Sequence, residues 1–182
     1  MPQIFNILSR ALSIMLHPLF MPTYGMILYM AAMLVRTPNL PSIYIYTSVI
    51  TTFVLTALIP IILMLILWKR GSISSLHIDN ASERTTPYIY TLICFGFWCY
   101  FVGGILKMPV VWLVVAIGAT AALLAVTIIN RWWKISAHLT ALGGLLGGAF
   151  SIALYYSALP TLLIIGILIV SLLLMYARLY LN

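Results

Sequence analysis

The chain has 182 residues, of which 64% are hydrophobic and 6% are charged. A soluble domain of this size carries about 25% charged residues, and its core cannot hide so much apolar surface from water, so a water-soluble globular domain is excluded. The nine Lys and Arg against two Asp and Glu give a net charge of +7. In a membrane protein such an excess of cations sets the orientation of the spans in the membrane and favours binding to anionic headgroups. We expect no nucleic-acid partner.

Apolar runs of about 20 residues predict about six transmembrane helices. Residues 3–16 are apolar on one side and carry Asn6 and Arg10 on the other, which predicts an N-terminal helix in the membrane interface. The spans are predicted at 18–35, 43–68, 87–106, 109–130, 136–156 and 160–181. The fold class is therefore an all-α, polytopic membrane helical bundle, with residues 1–182 as a single integral membrane domain.

Six spans place the N-terminus, the 69–86 loop, the 131–135 turn and the C-terminus on one side of the membrane. That side carries seven cations, whereas Arg36 and Lys107 lie on the other side. The positive-inside rule makes the cation-rich side cytoplasmic. We expect an integral protein of the bacterial cytoplasmic (inner) membrane.

The same count of membrane crossings, which we call parity, places a group of polar residues at one membrane surface. Its members lie at the ends of the third, fifth and sixth spans: Arg84, Lys134, Ser136, His138 and Arg178. Thr86 is a predicted N-cap with Pro87 at the first helical position, and Ser136 is predicted to cap the fifth span. Helix N-termini beside guanidinium and ammonium groups bind anions, phosphate above all, and a histidine there can exchange a proton near neutral pH.

Simpler interpretations exist for several of these residues. Lysines and arginines at helix ends commonly reach the interface and set topology. Arg84 lies beside Glu83 and Asp79, which favours a local ion pair. We interpret His17, before Pro18, as an interfacial or packing histidine. The two overlapping glycine pairs of residues 143–148, "GGLLGG", predict close helix contact.

Three short segments together resemble the type-2 phosphatidic acid phosphatase superfamily, over roughly residues 77–182. "KISAH" at 134–138 is similar to the second motif, P-S-G-H. "HIDNASERTTP" at 77–87 keeps the spacing of the first motif, K-x6-R-P, with His77 at the lysine and Thr85 at the proline. "ARLYLN" at 177–182 matches the arginine of the third motif, S-R-x5-H-x3-D, at Arg178.

The resemblance implies a helical bundle that hydrolyses a phosphate ester of a lipid. It implies that His138 protonates the leaving alkoxide, and that phosphate is held by five residues: His77, Arg84, Lys134, Ser136 and Arg178. The nucleophilic histidine of the third motif would fall six positions after Arg178, beyond Asn182. Covalent catalysis needs this residue, so the chain is expected to be either a divergent member or C-terminally incomplete. No cofactor and no metal are implied.

Three functions remain open at this stage. The first is hydrolysis of a phosphomonoester or diphosphate of a membrane lipid, with a phospholipid or a polyprenyl phosphate as the partner. The second is a non-catalytic relative that binds lipid phosphate or a protein partner. The third is a transporter or a metal-dependent intramembrane enzyme. A homo-oligomer is possible. The side of the membrane that the site faces is also open, because the charge distribution predicts the cytoplasmic side whereas membrane members of the superfamily present their site to the periplasm or lumen.

Overall fold

The computed structural model describes residues 2–75, 81–133, 135–156 and 161–181, with side chains for all of these except 2–6, 8, 81–82, 161–163 and 178–181. The described chain is helical and contains no strand. Its α-helices are α1 (Pro2–Met15), α2 (Met21–Arg36), α3 (Ser42–Phe53), α4 (Ile59–Lys69), α5 (Thr85–Tyr100), α6 (Val110–Ile129), α7 (Ala137–Tyr155) and α8 (Thr161–Leu181).

The helices are long and apolar enough to form a polytopic membrane bundle, as predicted. Five described segments meet the length and composition of a membrane span: Ser9–Arg36, Ser42–Lys69, Thr85–Ile105, Val110–Ile129 and Ala137–Tyr155. A shorter apolar stretch, Ile164–Ala177, lies within α8. Alternation of direction along the chain places the start of α2, α5 and α7 at one end of the bundle, which we call the histidine end. The end of α2 and the start of α6 lie at the other, the Arg36 end.

Irregular turns appear where the sequence disfavours a regular helix. A π-helical turn, Val54–Leu58, joins α3 to α4 immediately before Pro60. Proline lacks an N–H and its ring crowds the preceding turn, so a wider turn at this point lets the helix continue through the membrane. A second π-helical turn, Phe101–Ile105, ends α5 at a glycine pair. Lys107 then takes a positive φ of 47° in the tight connection to α6.

The predicted caps of the third and fifth spans have different outcomes. Ser136 caps α7, and its Oγ accepts a hydrogen bond from Leu139 N at 3.5 Å. Thr86 is not a cap, so that prediction is wrong. A 3-10 turn, Ala81–Arg84, leads directly into α5, and Arg84 is already in a right-handed helical conformation. Thr86 therefore lies inside the helix, and Pro87 lies in the first turn, where its missing N–H costs nothing.

The larger of two hydrophobic core clusters lies toward the Arg36 end. It contains buried residues of α2, α5, the following π-helical turn and α6, among them Met26, Tyr29, Trp98 and Trp112. Trp98 donates its indole N–H to Thr52 Oγ1 at 3.0 Å, which ties α5 to α3. A smaller cluster of Met21, Leu142 and Leu174 joins α2, α7 and α8. The space between α2, α5, α6 and α7 is not filled, and this gap forms the site described next.

Candidate functional site

A large cavity runs through the bundle between α1, α2, α5, α6 and α7. Its volume is about 1460 Å³, whereas pockets for small ligands measure roughly 300–1,000 Å³. Most of its walls are aliphatic or aromatic, and the polar lining residues cluster toward its two ends. A cavity of this kind suits an amphiphile with a long apolar part.

Two histidines meet at one end of this cavity. His138, in the first turn of α7, and His17, just before α2, have ring centroids 5.6 Å apart in an edge-to-face arrangement. His138 Nε2 lies 3.1 Å from Ser13 O of α1. Both rings and Ser13 line the cavity, and Ser13 Oγ is buried without a hydrogen-bond partner among the described residues.

The hydrogen bonds of the two rings define where their protons lie. A carbonyl oxygen only accepts, so His138 Nε2 donates to Ser13 O, and the neutral ring has its lone pair on Nδ1. His17 Nδ1 accepts from Leu19 N at 3.4 Å, so its neutral ring carries the proton on Nε2. A nucleophilic Nε2 on His17 would require the opposite tautomer.

Cationic side chains line the same cavity. Arg10 projects from α1 and Arg84 from the turn before α5, and a side-chain hydrogen bond joins Arg84 to Tyr88. The carboxylate of Glu83 accepts instead from Ser74 N at 2.7 Å and from Ser74 Oγ at 2.9 Å. The guanidinium groups thus bring positive charge to the histidine end, where the N-terminus of α7 adds its partial positive charge.

The six residues predicted for this site fall into two groups. Arg84, Ser136 and His138 line one cavity, as their common membrane side predicted. His77 and Lys134 lie outside the described residues, and so does the side chain of Arg178, although its backbone belongs to α8. The assignments of these three remain predictions, and Asp79, considered as an ion-pair partner of Arg84, is likewise outside the described residues.

Three residues of the site were missed by sequence reasoning. The sequence predicts Arg10 only on the polar face of an interfacial helix and His17 as an interfacial or packing residue, and it does not single out Ser13. One signal is available, because the chain before the first predicted span lies on the same side of the membrane as His138. The positions of these residues depend on how α1 packs on α8 and how the 3-10 turn Pro18–Phe20 packs on α7, which no local pattern encodes.

The glycines of α7 have a different role from the one predicted. A Cβ at Gly143, Gly144 or Gly147 would meet no atom within 4 Å, so the prediction of close helix contact is wrong for these three. At Gly148 a Cβ would lie 3.1 Å from Val115 Cγ1 of α6, so close contact is confirmed there. Both Gly144 and Gly148 line the cavity, and at Gly144 the absence of a side chain widens it.

The opposite end of the cavity is also polar. Arg36 Nη2 donates to Tyr156 O at 3.1 Å, and its Cζ lies 4.8 Å from the centroid of the Tyr156 ring. The Tyr156 hydroxyl donates to Met33 Sδ at 3.3 Å and therefore accepts from the Tyr29 hydroxyl at 3.2 Å. Trp112 stacks on Tyr29, yet its buried Nε1 has no hydrogen-bond partner among the described residues.

Comparison with protein-family models, with curated proteins and with solved structures finds no match.

Proposed function

We propose that this protein binds a phosphorylated membrane lipid inside the bundle. The phosphate lies at the histidine end of the cavity, and the hydrocarbon lies along its apolar walls. The observation that supports this proposal most strongly is that Arg10, Arg84, His17 and His138 line one end of a cavity whose remaining walls are largely apolar.

Charge complementarity favours an anion as the headgroup. At the histidine end the described lining of the cavity includes two arginines, Arg10 and Arg84, and no carboxylate. Arginine provides a planar set of donors that matches phosphate oxygens in pairs. The Ser136-capped start of α7 adds backbone N–H groups that face the same region. A phosphate monoester or diester would satisfy more of these donors than a neutral headgroup.

Binding of phosphatidic acid to the purified protein in neutral detergent tests this proposal, with native mass spectrometry as the readout. Arg84→Gln removes one charged partner of the phosphate. Hydrogen bonds to charged groups contribute about 1.5–3 kcal/mol, so affinity should fall roughly tenfold to a hundredfold. Arg131→Gln is the matched control, because Arg131 is exposed on the same side and does not line the cavity. Equal affinity of both variants for phosphatidic acid would contradict the proposal.

Hydrolysis of the bound phosphate ester is a second candidate function. It is favoured by the pairing of His138 with His17 and by the resemblance of "KISAH" to a phosphatase motif. An imidazole at this position suits proton transfer to or from a reacting water or leaving oxygen. The Nδ1 contact of His17 disfavours a covalent phosphohistidine on its Nε2, so direct attack by water fits the described geometry better.

Release of inorganic phosphate from phosphatidic acid distinguishes hydrolysis from binding alone. His138→Gln keeps a donor that can reach Ser13 O but removes the titratable ring. If the protein hydrolyses the lipid, this variant should lose turnover by at least about a hundredfold, a typical contribution of general acid–base catalysis, and retain binding. No phosphate release by the wild-type protein, or an unchanged rate in the variant, would exclude the catalytic candidate and leave the binding proposal in place.

A further inference from the structure

The cavity extends along most of the bundle. Its lining residues on α2 run from Met21 to Arg36, and those on α7 run from Ala137 to Ala153. At 1.5 Å per residue the lined part of α7 is about 24 Å long. The hydrocarbon core of a bilayer is roughly 30 Å thick. The lining of the cavity therefore extends from the histidine end to the Arg36 end of the bundle.

Unpaired hydrogen-bonding groups occur near both ends of this path. Ser13 Oγ near the histidines and Trp112 Nε1 near Tyr29 are both buried without a partner among the described residues, and both residues line the cavity. An unpaired buried donor costs free energy, and both would be satisfied by the oxygens of a phosphate or an ester group. They indicate that the occupant places polar atoms at the histidine end and at the Arg36 end, with its hydrocarbon between them or beside them.

The Arg36 end provides a second cationic position. A guanidinium has five N–H donors, and the described contacts of Arg36 are one hydrogen bond to Tyr156 O and its position over the Tyr156 ring. The group is exposed, so its other N–H groups are available to an anionic headgroup at this membrane face. Both ends of the cavity therefore carry arginine side chains, and only the histidine end also carries histidines.

Small residues border the path on two helices. Gly25 and Ala32 of α2 line the cavity, as do Gly144, Gly148 and Ala149 of α7. At Gly144 an added Cβ would meet open space, whereas at Gly25 it would lie 3.3 Å from Leu145 Cδ1 and at Gly148 it would lie 3.1 Å from Val115 Cγ1. Gly144 is therefore the position at which a bulky side chain would extend into open space and obstruct the path.

We propose that this cavity is a passage by which the anionic lipid bound at the histidine end crosses to the Arg36 end. The inference rests on the proposed function, since the passage needs the same phosphate to enter at Arg84 and His138. A charged headgroup crosses hydrocarbon only at high cost, and the polar groups near the two ends of the cavity shorten the apolar distance over which it is without polar contacts. The transfer runs down the concentration gradient in either direction, so it requires no energy source.

The test uses the full chain in phosphatidylcholine vesicles that contain a trace of phosphatidic acid with a fluorescent acyl chain. Dithionite added outside bleaches only the label that reaches the outer leaflet. Wild-type protein should make the inner-leaflet label accessible, whereas protein-free vesicles should retain it. Gly144→Leu should slow this exchange at least about tenfold, equivalent to a barrier about 1.4 kcal/mol higher.

Gly143→Leu is the matched control. Gly143 precedes Gly144 in the same helix, a Cβ there also meets open space, and it does not line the cavity. Circular dichroism and size-exclusion chromatography establish that both variants fold. Exchange should be normal in Gly143→Leu. Equal rates in the two leucine variants would overturn the passage.

Arg36→Gln and Lys107→Gln form a second pair at the opposite face. Only Arg36 lines the cavity, so Arg36→Gln alone should slow exchange while phosphatidic acid binding at the histidine end is retained. Failure of the passage and failure of the proposed function give different results. Wild-type protein that binds phosphatidic acid, with affinity lowered by Arg84→Gln, but does not exchange it refutes the passage only. Wild-type protein that does not bind phosphatidic acid refutes both.

Discussion

Two buried tryptophans on the cavity wall should respond differently to the same substitution. Trp98 and Trp112 are each 1% exposed, and their rings meet edge to face with centroids 6.4 Å apart. Trp98 donates to Thr52 Oγ1, whereas Trp112 Nε1 has no partner among the described residues. Replacement of each by phenylalanine removes the same indole N–H and the same ring volume, so the difference between the two variants isolates the hydrogen bond.

These contacts give the expected difference in free energy of unfolding between the two variants. Trp98→Phe loses a hydrogen bond worth about 1 kcal/mol. Trp112→Phe removes a buried unpaired donor, which relieves about 1–3 kcal/mol of desolvation penalty. Since the loss of ring volume is common to both, Trp98→Phe should be less stable than Trp112→Phe by at least about 2 kcal/mol by the same estimate.

Equilibrium unfolding by SDS in mixed micelles measures both free energies. A double-mutant cycle of Trp98→Phe with Thr52→Val should show a coupling of about 1 kcal/mol, which confirms the bond itself. If Trp112→Phe is destabilised as much as Trp98→Phe, then the Trp112 indole is hydrogen-bonded in the purified protein without added lipid. In that case it gives no support to polar atoms of a ligand at the Arg36 end of the cavity.

Two further substitutions test the ends of the cavity. Ser136→Asp should keep the cap of α7 but add a negative charge beside the phosphate, so the free energy of unfolding should be unchanged while the affinity for phosphatidic acid falls. Ser136→Asn, a neutral cap, should leave that affinity nearly unchanged. Equal affinities in the two variants would show that the start of α7 does not contact the phosphate. Tyr156→Phe removes the hydroxyl that accepts from Tyr29 but keeps the contacts of Arg36 with the carbonyl and the ring. The free energy of unfolding in SDS should fall by about 1 kcal/mol, and no loss would mean that the Tyr29 hydroxyl finds another partner.

The sequence was sufficient to predict the helical architecture because spans of about 20 apolar residues have few alternative structures in a membrane. The cap at Ser136 was also predictable, since a serine before an apolar helix offers its hydroxyl to the first turn. Parity alone placed Arg84 and His138 on one side. These inferences need only local pattern and the count of crossings.

The remaining features depend on how helices cross. The contact of His17 with His138 arises because the 3-10 turn Pro18–Phe20, which His17 caps, packs on α7, and nothing in "LHPLF" at 16–20 specifies that neighbour. The glycines of α7 were expected to draw helices together, but three of them lie where no side chain approaches. A glycine pattern does not distinguish a tight contact from the wall of a cavity. Thr86 was misread as a cap because the 3-10 turn before it has no strong sequence signal.

Occupation of the cavity by a phosphorylated lipid is tested most directly by fluorescence quenching. Trp68, Trp132 and Trp133 are exposed and can be replaced by phenylalanine, which leaves Trp98 and Trp112, both on the cavity wall. Phosphatidic acid with brominated acyl chains, added in neutral detergent, should then quench the remaining emission saturably. Arg84→Gln should shift the midpoint to roughly tenfold higher lipid concentration or more. Quenching that does not saturate, or that is equally strong with brominated phosphatidylcholine, would contradict a phosphate-selective lipid site in the bundle.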